Sequence, residues 1–135
     1  LKIIRKNYKV QTVVGVQPTS PLRPKHSFDE ALSLYFKKKL DSLFTSEKIS
    51  DHFTWKKISN KFKANYNYKN RPMRQTIKNC FLENGSFYIF SANKFLKKKC
   101  RLFGKIGTFE MKKIYSFQID EKQDIQLFKN LKKYF

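Results

Sequence analysis

The chain has 135 residues, enough for one ordinary domain with a sizeable core, and its formal net charge is +20. This charge favours an anionic partner such as nucleic acid, an anionic membrane surface or a phosphorylated ligand, although AT-biased coding, the interpretation we prefer, also produces a lysine-rich chain. No apolar run approaches the ~20 residues of a membrane-spanning helix, so we expect no membrane-embedded segment.

The first predicted elements are a helix end, a strand and a proline turn. Residues 1–8 resemble the tail of a helix. Thr12–Val16 is apolar and mostly β-branched, which is typical of a strand covered on both faces. Pro18 and Pro21 end it because proline cannot donate to a ladder. At such a strand end, where ligands bind in open α/β sheets, lie Gln17, Thr19 and Ser20. An ordinary strand and turn is the alternative.

A helix and a second strand follow. Ser27 with Glu30 predicts a capping box, and apolar residues then repeat at helical spacing up to three lysines at 37–39. Residues 42–49 are predicted to form the next strand. The strand, helix, strand order implies a parallel pair joined by a right-handed crossover.

Residues 50–79 change to a polar and aromatic pattern, with a short strand predicted around Phe53 and Trp55. A loop of this length is usually functional or disordered. Its aromatic and basic side chains could suit single-stranded nucleic acid. Because no OB, RRM or KH signature accompanies them, we do not expect nucleic acid as the partner.

The last third is predicted to contain short elements of both kinds. The expected order is a turn at 83–85, a strand at 86–91, a basic helix at 93–99, a bend between Gly104 and Gly107, extended stretches at 108–111 and 115–119, and a final helix to Phe135. Asp120 is expected to cap that helix. The acids at its start, Asp120, Glu121 and Asp124, are either partners of the helix dipole or ligands for Mg²⁺.

The cysteines and arginines are few. Cys80 and Cys100 have no CxxC spacing and no accompanying histidine cluster, so they fit a reduced, cytoplasmic protein better than a disulfide scaffold or a zinc site. Arginine is the better residue for bidentate contacts with phosphate or carboxylate. The arginines therefore carry more information than the lysines; they are Arg5, Arg23, Arg71, Arg74 and Arg101.

Four motifs in register resemble one family. They are QPTSPLR at 17–23, RPMRQ at 71–75, ENGSFY at 83–88 and SFQIDEKQD at 116–124, and HFTW at His52–Trp55 resembles a fifth segment. Their order and spacing are similar to those of the C-terminal portion of acylneuraminate cytidylyltransferases. The resemblance implies an α/β fold: a three-layer, Rossmann-like mixed sheet flanked by helices and incomplete at the N-terminus. It also implies transfer of CMP from CTP to a nine-carbon acidic sugar, with Mg²⁺ and release of pyrophosphate.

The resemblance also assigns roles to residues. Gln17 would contact the sugar, Arg74 its carboxylate, and Tyr88 would form the aromatic wall of the sugar pocket, unless it is a core residue of its strand. Asp120 would be the catalytic metal ligand. Further substrate-binding positions are Thr19, Ser20, Arg23, Gln75 and Asn84, and further metal positions are Asp124 and Gln118.

Two departures from the family pattern weaken this expectation. The family motif DID reads QID here, so Gln118 replaces one anionic ligand. The family's N-terminal strand and CTP-binding loop do not occur in these residues, and the chain opens at Leu1. We therefore expect one partial domain over 1–135 that is inactive alone, with about 50–80 as a homodimer and sugar-site excursion. A degenerate, non-catalytic relative that binds an acidic ligand or a partner subunit is the alternative.

Overall fold

The computed structural model describes residues 1–50 and 53–131, so His52 and Phe135 lie outside the described residues. In chain order the helices and strands are α1 (Ile4–Asn7), β1 (Thr12–Val16), α2 (Ser27–Lys37), β2 (Ser42–Ile49), β3 (Trp55–Ile58), β4 (Lys61–Ala64), β5 (Cys80–Ser91), α3 (Ala92–Lys98), β6 (Ile106–Glu110) and α4 (Lys122–Leu131). Short 3₁₀ helices lie at Tyr68–Asn70, Arg74–Thr76 and Lys113–Ser116. The chain divides into two compact units, one of residues 1–47 with 83 onward and one of Lys48–Leu82.

The first unit contains a mixed sheet in the order β1-β5-β2-β6. β1 is antiparallel to β5, and β2 is parallel to β6. The amide of Ser91 donates to Asp41 O and the amide of Phe87 donates to Thr45 Oγ1, so β5 also runs antiparallel to β2. The predicted α/β class with a mixed sheet is confirmed.

The prediction that β1 and β2 form an adjacent parallel pair is wrong. The two strands run in the same direction, but β5, which comes much later in the chain, lies between them. β1 is consequently an edge strand of the described sheet. Val14 packs against one core cluster and Val13 against the other, so both faces of β1 are partly covered, as expected, but Val16 at its end is 47% exposed.

β5 contributes side chains to the apolar clusters on both faces of the sheet. Successive side chains of a strand point to opposite faces. Phe87 and Ile89 pack with α2 and β2 in one cluster, whose other buried members are Ala31, Tyr35, Leu40, Leu43 and Met111. Tyr88 and Phe90 pack in a second cluster with Phe103, against which Phe95 of α3 lies. Helices therefore cover both faces of the sheet, which gives the expected three layers.

The helix caps differ from the predicted ones. α2 begins at Ser27, after His26 in a left-handed conformation (φ 62°) with no side-chain cap. The capping box of Ser27 with Glu30 is wrong because the tight turn from Pro24 O to the Ser27 amide (3.2 Å) already places Ser27 inside the helix. At α4 the cap comes from Asp124, whose Oδ2 accepts from the amides of Asp120 (3.0 Å) and Glu121 (2.8 Å). The predicted cap, Asp120, supplies an amide instead.

Two other predicted boundaries were wrong. The predicted turn at 83–85 lies inside β5, because Gly85 (φ 68°) takes up a local kink without ending the strand. The extended stretch predicted at 115–119 begins in the 3₁₀ helix Lys113–Ser116. The helix end predicted within residues 1–8 is confirmed as the single turn of α1, which ends at Asn7.

The connection from α3 to β6 is fixed by Asp41. Its carboxylate accepts a hydrogen bond from Lys94 Nζ on α3 and another from the amide of Lys105 (2.9 Å). These donors, Lys94 first, hold the pKa of Asp41 below its usual value. Gly104 has φ 63°, and a Cβ there would lie 2.1 Å from Asp41 Oδ2. Glycine is therefore required for this close approach.

The second unit contains a hairpin of β3 and β4, in which Trp55 pairs with Ala64. Aromatic rings gather beside it: Phe53 and Tyr66 have ring centroids 4.6 Å apart, and Arg71 lies 4.4 Å from the Phe53 ring centroid. The unit thus holds its own aromatic cluster.

No helix in residues 1–50 and 53–131 is long and apolar enough to cross a bilayer. Cys80 and Cys100 are both exposed free thiols.

Candidate ligand site

Several polar side chains of the first unit meet around Tyr88. Its hydroxyl donates to Glu83 Oε1, and the Gln17 side chain acts on the same hydroxyl, lowering the pKa of Tyr88. The guanidinium carbon of Arg101 lies 4.1 Å from the Tyr88 ring centroid. We call these residues the Tyr88 network: Gln17, Glu83, Tyr88 and Arg101.

Local structure explains why Gln17 reaches Tyr88. Gly15 of β1 pairs with Tyr88 of β5, so Gln17, two residues on, projects from the same face. The amide of Gln17 donates to Ser86 O (3.0 Å), which continues the ladder one step past β1. The predicted strand-end position of Gln17 therefore faces a polar network.

Burial first, and then the hydrogen bond and charge of Glu83, raise the pKa of Tyr88 to about 12, while Arg101 and Gln17 act in the opposite direction. The side chain is 3% exposed. The phenol therefore stays protonated near neutral pH and serves as a donor. Tyr88 is therefore a buried core residue of its strand, as the alternative expected, and its role as the wall of a sugar pocket stays a prediction.

The pH dependence of stability tests this environment. The folded-state pKa of Tyr88 lies above its usual value of 10.0, so its contribution is complete below about pH 10 and is lost between pH 10 and 12. Tyr88→Phe is expected to remove that part of the decline, as measured by urea unfolding at several pH values. Tyr68→Phe, at a 58% exposed tyrosine, is the matched control and is expected to keep the wild-type slope. Equal slopes in Tyr88→Phe and wild type would contradict the assignment.

Arg23 fixes the turn at 17–23. Its Nη2 donates to Gln17 O (2.8 Å) and is 3.4 Å from Ser86 O. Burial lowers the pKa of Arg23. The guanidinium thus holds the main chain that carries Gln17, and this contact makes Arg23 a positioning residue in the described structure. Its substrate contact stays a prediction.

The QID stretch lies against the same turn. The amide of Ile119 donates to Thr19 O (2.8 Å), and Gln118 Nε2 donates to Asn84 O (2.8 Å). Asn84 is 2% exposed, and its Oδ1 accepts from Thr45 Oγ1 (2.6 Å) and the Ser86 amide (3.2 Å). The structure therefore brings Gln17, Thr19, Asn84 and Gln118 into one region, with Asn84 as its buried organiser.

Several polar atoms in this region are buried without a hydrogen-bond partner. Within residues 1–50 and 53–131 these atoms are Ser20 Oγ, Arg23 Nε, Glu47 Oε2, Asn84 Nδ2, Ser86 Oγ and Ser116 Oγ. Buried polar groups are normally paired. Apart from Glu47, they lie on the turn, on β5 next to it and just before the QID stretch. This concentration of unpaired polar atoms makes the turn and the adjoining part of β5 a candidate ligand site.

The metal candidates do not form a ready-made centre. Over the two described ranges, no three or more His, Cys, Asp or Glu side chains are grouped so that they could hold a metal ion. Asp124 uses Oδ2 as a helix cap, and Gln118 directs its amide nitrogen to Asn84 O. Asp120 is exposed at the start of α4. Mg²⁺ is often held by one or two carboxylates with substrate phosphates, so Asp120 fits as a single ligand, whereas a three-residue protein cage does not fit.

Arg74 and Gln75 belong to the second unit. They lie on the exposed 3₁₀ helix Arg74–Thr76, where Thr76 Oγ1 donates to Met73 O (2.7 Å). Their part in a sugar site stays a prediction.

Sequence reasoning missed Glu83 and Arg101 as site residues. Glu83 stood in the ENGSFY motif but was assigned to a turn, whereas the kink at Gly85 keeps it in the strand that carries Tyr88. Arg101 was marked only by the scarcity of arginine. The buried Thr45 on β2, whose hydroxyl donates to Asn84, also lies outside every sequence motif.

These observations define the first unit as a three-layer α/β domain with a candidate polar site where β1 ends beside β5. No family model matches the chain. Over 121 residues the chain is 34% identical to N-acylneuraminate cytidylyltransferase A of Danio rerio, a match that covers 86% of this chain and 28% of that protein. The chain is thus similar to part of a cytidylyltransferase, and it spans little more than a quarter of this relative's length.

Proposed function

We propose that the chain supplies the sugar-binding part of a cytidylyltransferase that transfers CMP from CTP to a nonulosonic acid. In that reaction an oxygen of the sugar hydroxyl bonds to the α-phosphorus, the bond to the pyrophosphate oxygen breaks, and the hydroxyl proton is released. The observation that carries the proposal is the Tyr88 network beside the turn at 17–23. The partial similarity to a cytidylyltransferase supports the reaction class.

The chemistry of the network suits a polyhydroxylated acid. The Gln17 amide both donates and accepts, the Glu83 carboxylate accepts, and the Arg101 guanidinium donates. Sugar hydroxyls are donors and acceptors, and the sugar acid adds a carboxylate. Arg23 holds the main chain at Gln17, and Asn84 holds the main chain at Ser86 beside it. The polar groups of the network are thus fixed in position, which favours catalysis by positioning.

Asp120 is the residue we propose as the protein ligand of Mg²⁺. When bound, Mg²⁺ neutralises the triphosphate of CTP. Asp124 and Gln118 each use a side-chain atom in a main-chain hydrogen bond, which leaves Asp120 as the best placed of the three.

Calorimetric titration with N-acetylneuraminate tests the sugar-binding role. We expect the chain to bind it and Gln17→Ala to weaken binding about 5- to 10-fold, the cost of one hydrogen bond. Gln11→Ala, at an exposed glutamine just before β1, is the matched control and is expected to bind like wild type. Absence of binding to the wild-type chain, or equal affinity of the two variants, would refute this role.

A non-catalytic sugar-binding relative is the second candidate function. It is favoured by Gln118, whose amide bonds Asn84 O where the cytidylyltransferase motif has an acid. The discriminating measurement is pyrophosphate release from CTP, Mg²⁺ and N-acetylneuraminate by the full-length protein and its Gln118→Asp variant. Release by either supports catalysis, whereas sugar binding with no release from both supports the second candidate.

The second unit is the part we propose for a homodimer contact. It exposes large apolar side chains, among them Trp55 (48%), Phe62 (65%) and Tyr68 (58%). Aromatic residues are enriched at interfaces. Sedimentation equilibrium is expected to show a dimer that Phe62→Ser weakens, and a monomer at all concentrations would remove the proposal.

A further inference from the structure

Arg101 is held over Tyr88 by the end of α3. Lys99 adopts a left-handed conformation (φ 53°), and its amide donates to Phe95 O (2.8 Å), so the chain reverses after the helix. Leu102 and Phe103 then pack in the same apolar cluster as Tyr88. The backbone on the C-terminal side of Arg101 is therefore anchored to the face of β5 that carries Tyr88.

The Arg101 guanidinium, rather than the Tyr88 ring, is the group that a ligand would contact on this side of the candidate site. Arg101 covers a face of the Tyr88 ring, and the hydroxyl already donates to Glu83. The ring itself is almost fully buried, whereas Arg101 is exposed. A ligand on this side of the site therefore contacts a cation, and the aromatic ring serves as the support beneath it.

Arg101 and Arg23 have different surroundings. Arg23 is half-buried and donates to main-chain carbonyls of Gln17 and Ser86. Arg101 keeps a planar, permanently charged fork of donors at the surface of the site. Such a fork matches the paired oxygens of a carboxylate or a phosphate.

We propose that Arg101 determines specificity by binding an anionic group of the ligand, with Tyr88 as the residue that positions it. The shared chemistry is a pair of anionic oxygens, supplied either by the carboxylate of a sugar acid or by the phosphate of a nucleotide. The inference rests on the proposed function, and it adds to that function a recognition residue outside the motifs that suggested it.

Three probes separate the two sources. N-acetylneuraminate carries a carboxylate, its methyl ester has the same sugar without the charge, and CMP carries a phosphate without a sugar acid. Calorimetry is performed on wild type, Arg101→Gln, Arg101→Lys and the control Arg5→Gln, which removes an exposed arginine in α1. Thermal melts of all variants check folding.

If the carboxylate is the anionic group that binds Arg101, Arg101→Gln is expected to weaken binding of the free acid about tenfold or more and to leave binding of the methyl ester unchanged. If the phosphate is the anionic group that binds Arg101, the same variant is expected to weaken the binding of CMP instead. Arg101→Lys retains the charge but loses the fork, and an intermediate affinity is expected. Arg5→Gln is expected to bind all probes like wild type.

Tyr88 variants test the positioning role. Tyr88→Phe keeps a ring beneath Arg101 and is expected to keep the preference for acid over ester, or the CMP affinity, whereas Tyr88→Leu is expected to lose it. Wild-type affinities for acid and CMP in Arg101→Gln, or equal weakening of acid and ester without any effect on CMP, would overturn the inference alone. A wild-type chain that binds none of the probes would overturn the proposed function and this inference together.

Discussion

Replacing Phe87 by alanine is expected to lower the free energy of unfolding by about 3 to 5 kcal/mol, the usual cost of deleting a buried aromatic side chain. Phe87 is 0% exposed on β5, and its ring centroid lies 4.8 Å from that of Phe28 on α2 and 6.2 Å from that of Phe109 on β6. The substitution therefore opens a cavity where strand and helix layers meet. Urea unfolding followed by circular dichroism measures the change.

Phe36→Ala provides the control, because Phe36 lies on α2 but is 60% exposed. We expect a loss of about 1 kcal/mol or less there, since little of its surface leaves water on folding. Similar losses for the two variants would show that β5 is not central to the core.

Replacing Asn84 by alanine is expected to cost about 2 to 4 kcal/mol, because it leaves two buried donors without their acceptor. These donors are Thr45 Oγ1 and the Ser86 amide. Gln118 bonds the main-chain oxygen of residue 84, so that contact remains available. Denaturant unfolding gives the stability change, and titration with N-acetylneuraminate at low temperature gives the effect on the site.

The matched substitution is Asn93→Ala, at an exposed position in α3. It is expected to be neutral or slightly stabilising, because alanine favours helix more than asparagine does. If Asn84→Ala proved as harmless, Asn84 would not be the organiser of the strand-end region.

The sequence predicted best where one local signal dominates. Helical spacing over residues 28–36 located α2, and the compact run at 42–49 located β2 with its observed bounds. The position of β1 could not be predicted, because neighbours in a sheet depend on strands that come much later in the chain. The predicted caps were also wrong, since α2 begins after a left-handed His26 without a side-chain cap and α4 is capped by Asp124, and both depend on the turn before the helix rather than on residue type.

The site was predictable where motifs carried it. Gln17 and Tyr88 are predicted as parts of one site, and the structure places them on the same face of neighbouring strands. Arg101 could not be inferred, because its contact with Tyr88 crosses a helix and a reversal of the chain. Asn84 was expected to bind substrate, yet its burial and its bonds to Thr45 and Ser86 come from strand pairing that no spacing reveals.

The contacts of Asp41 affect how much conformational entropy is lost when a ligand binds at Arg101. Asp41 joins Lys94 on α3 to the Lys105 amide before β6, so the segment carrying Arg101 is closed at both ends before any ligand arrives. A loop already ordered in this way loses little conformational freedom on binding, and preorganisation of that kind raises affinity. If Arg101 binds the ligand as proposed, loosening Asp41 is expected to weaken that binding through entropy, without removing a group that touches the ligand.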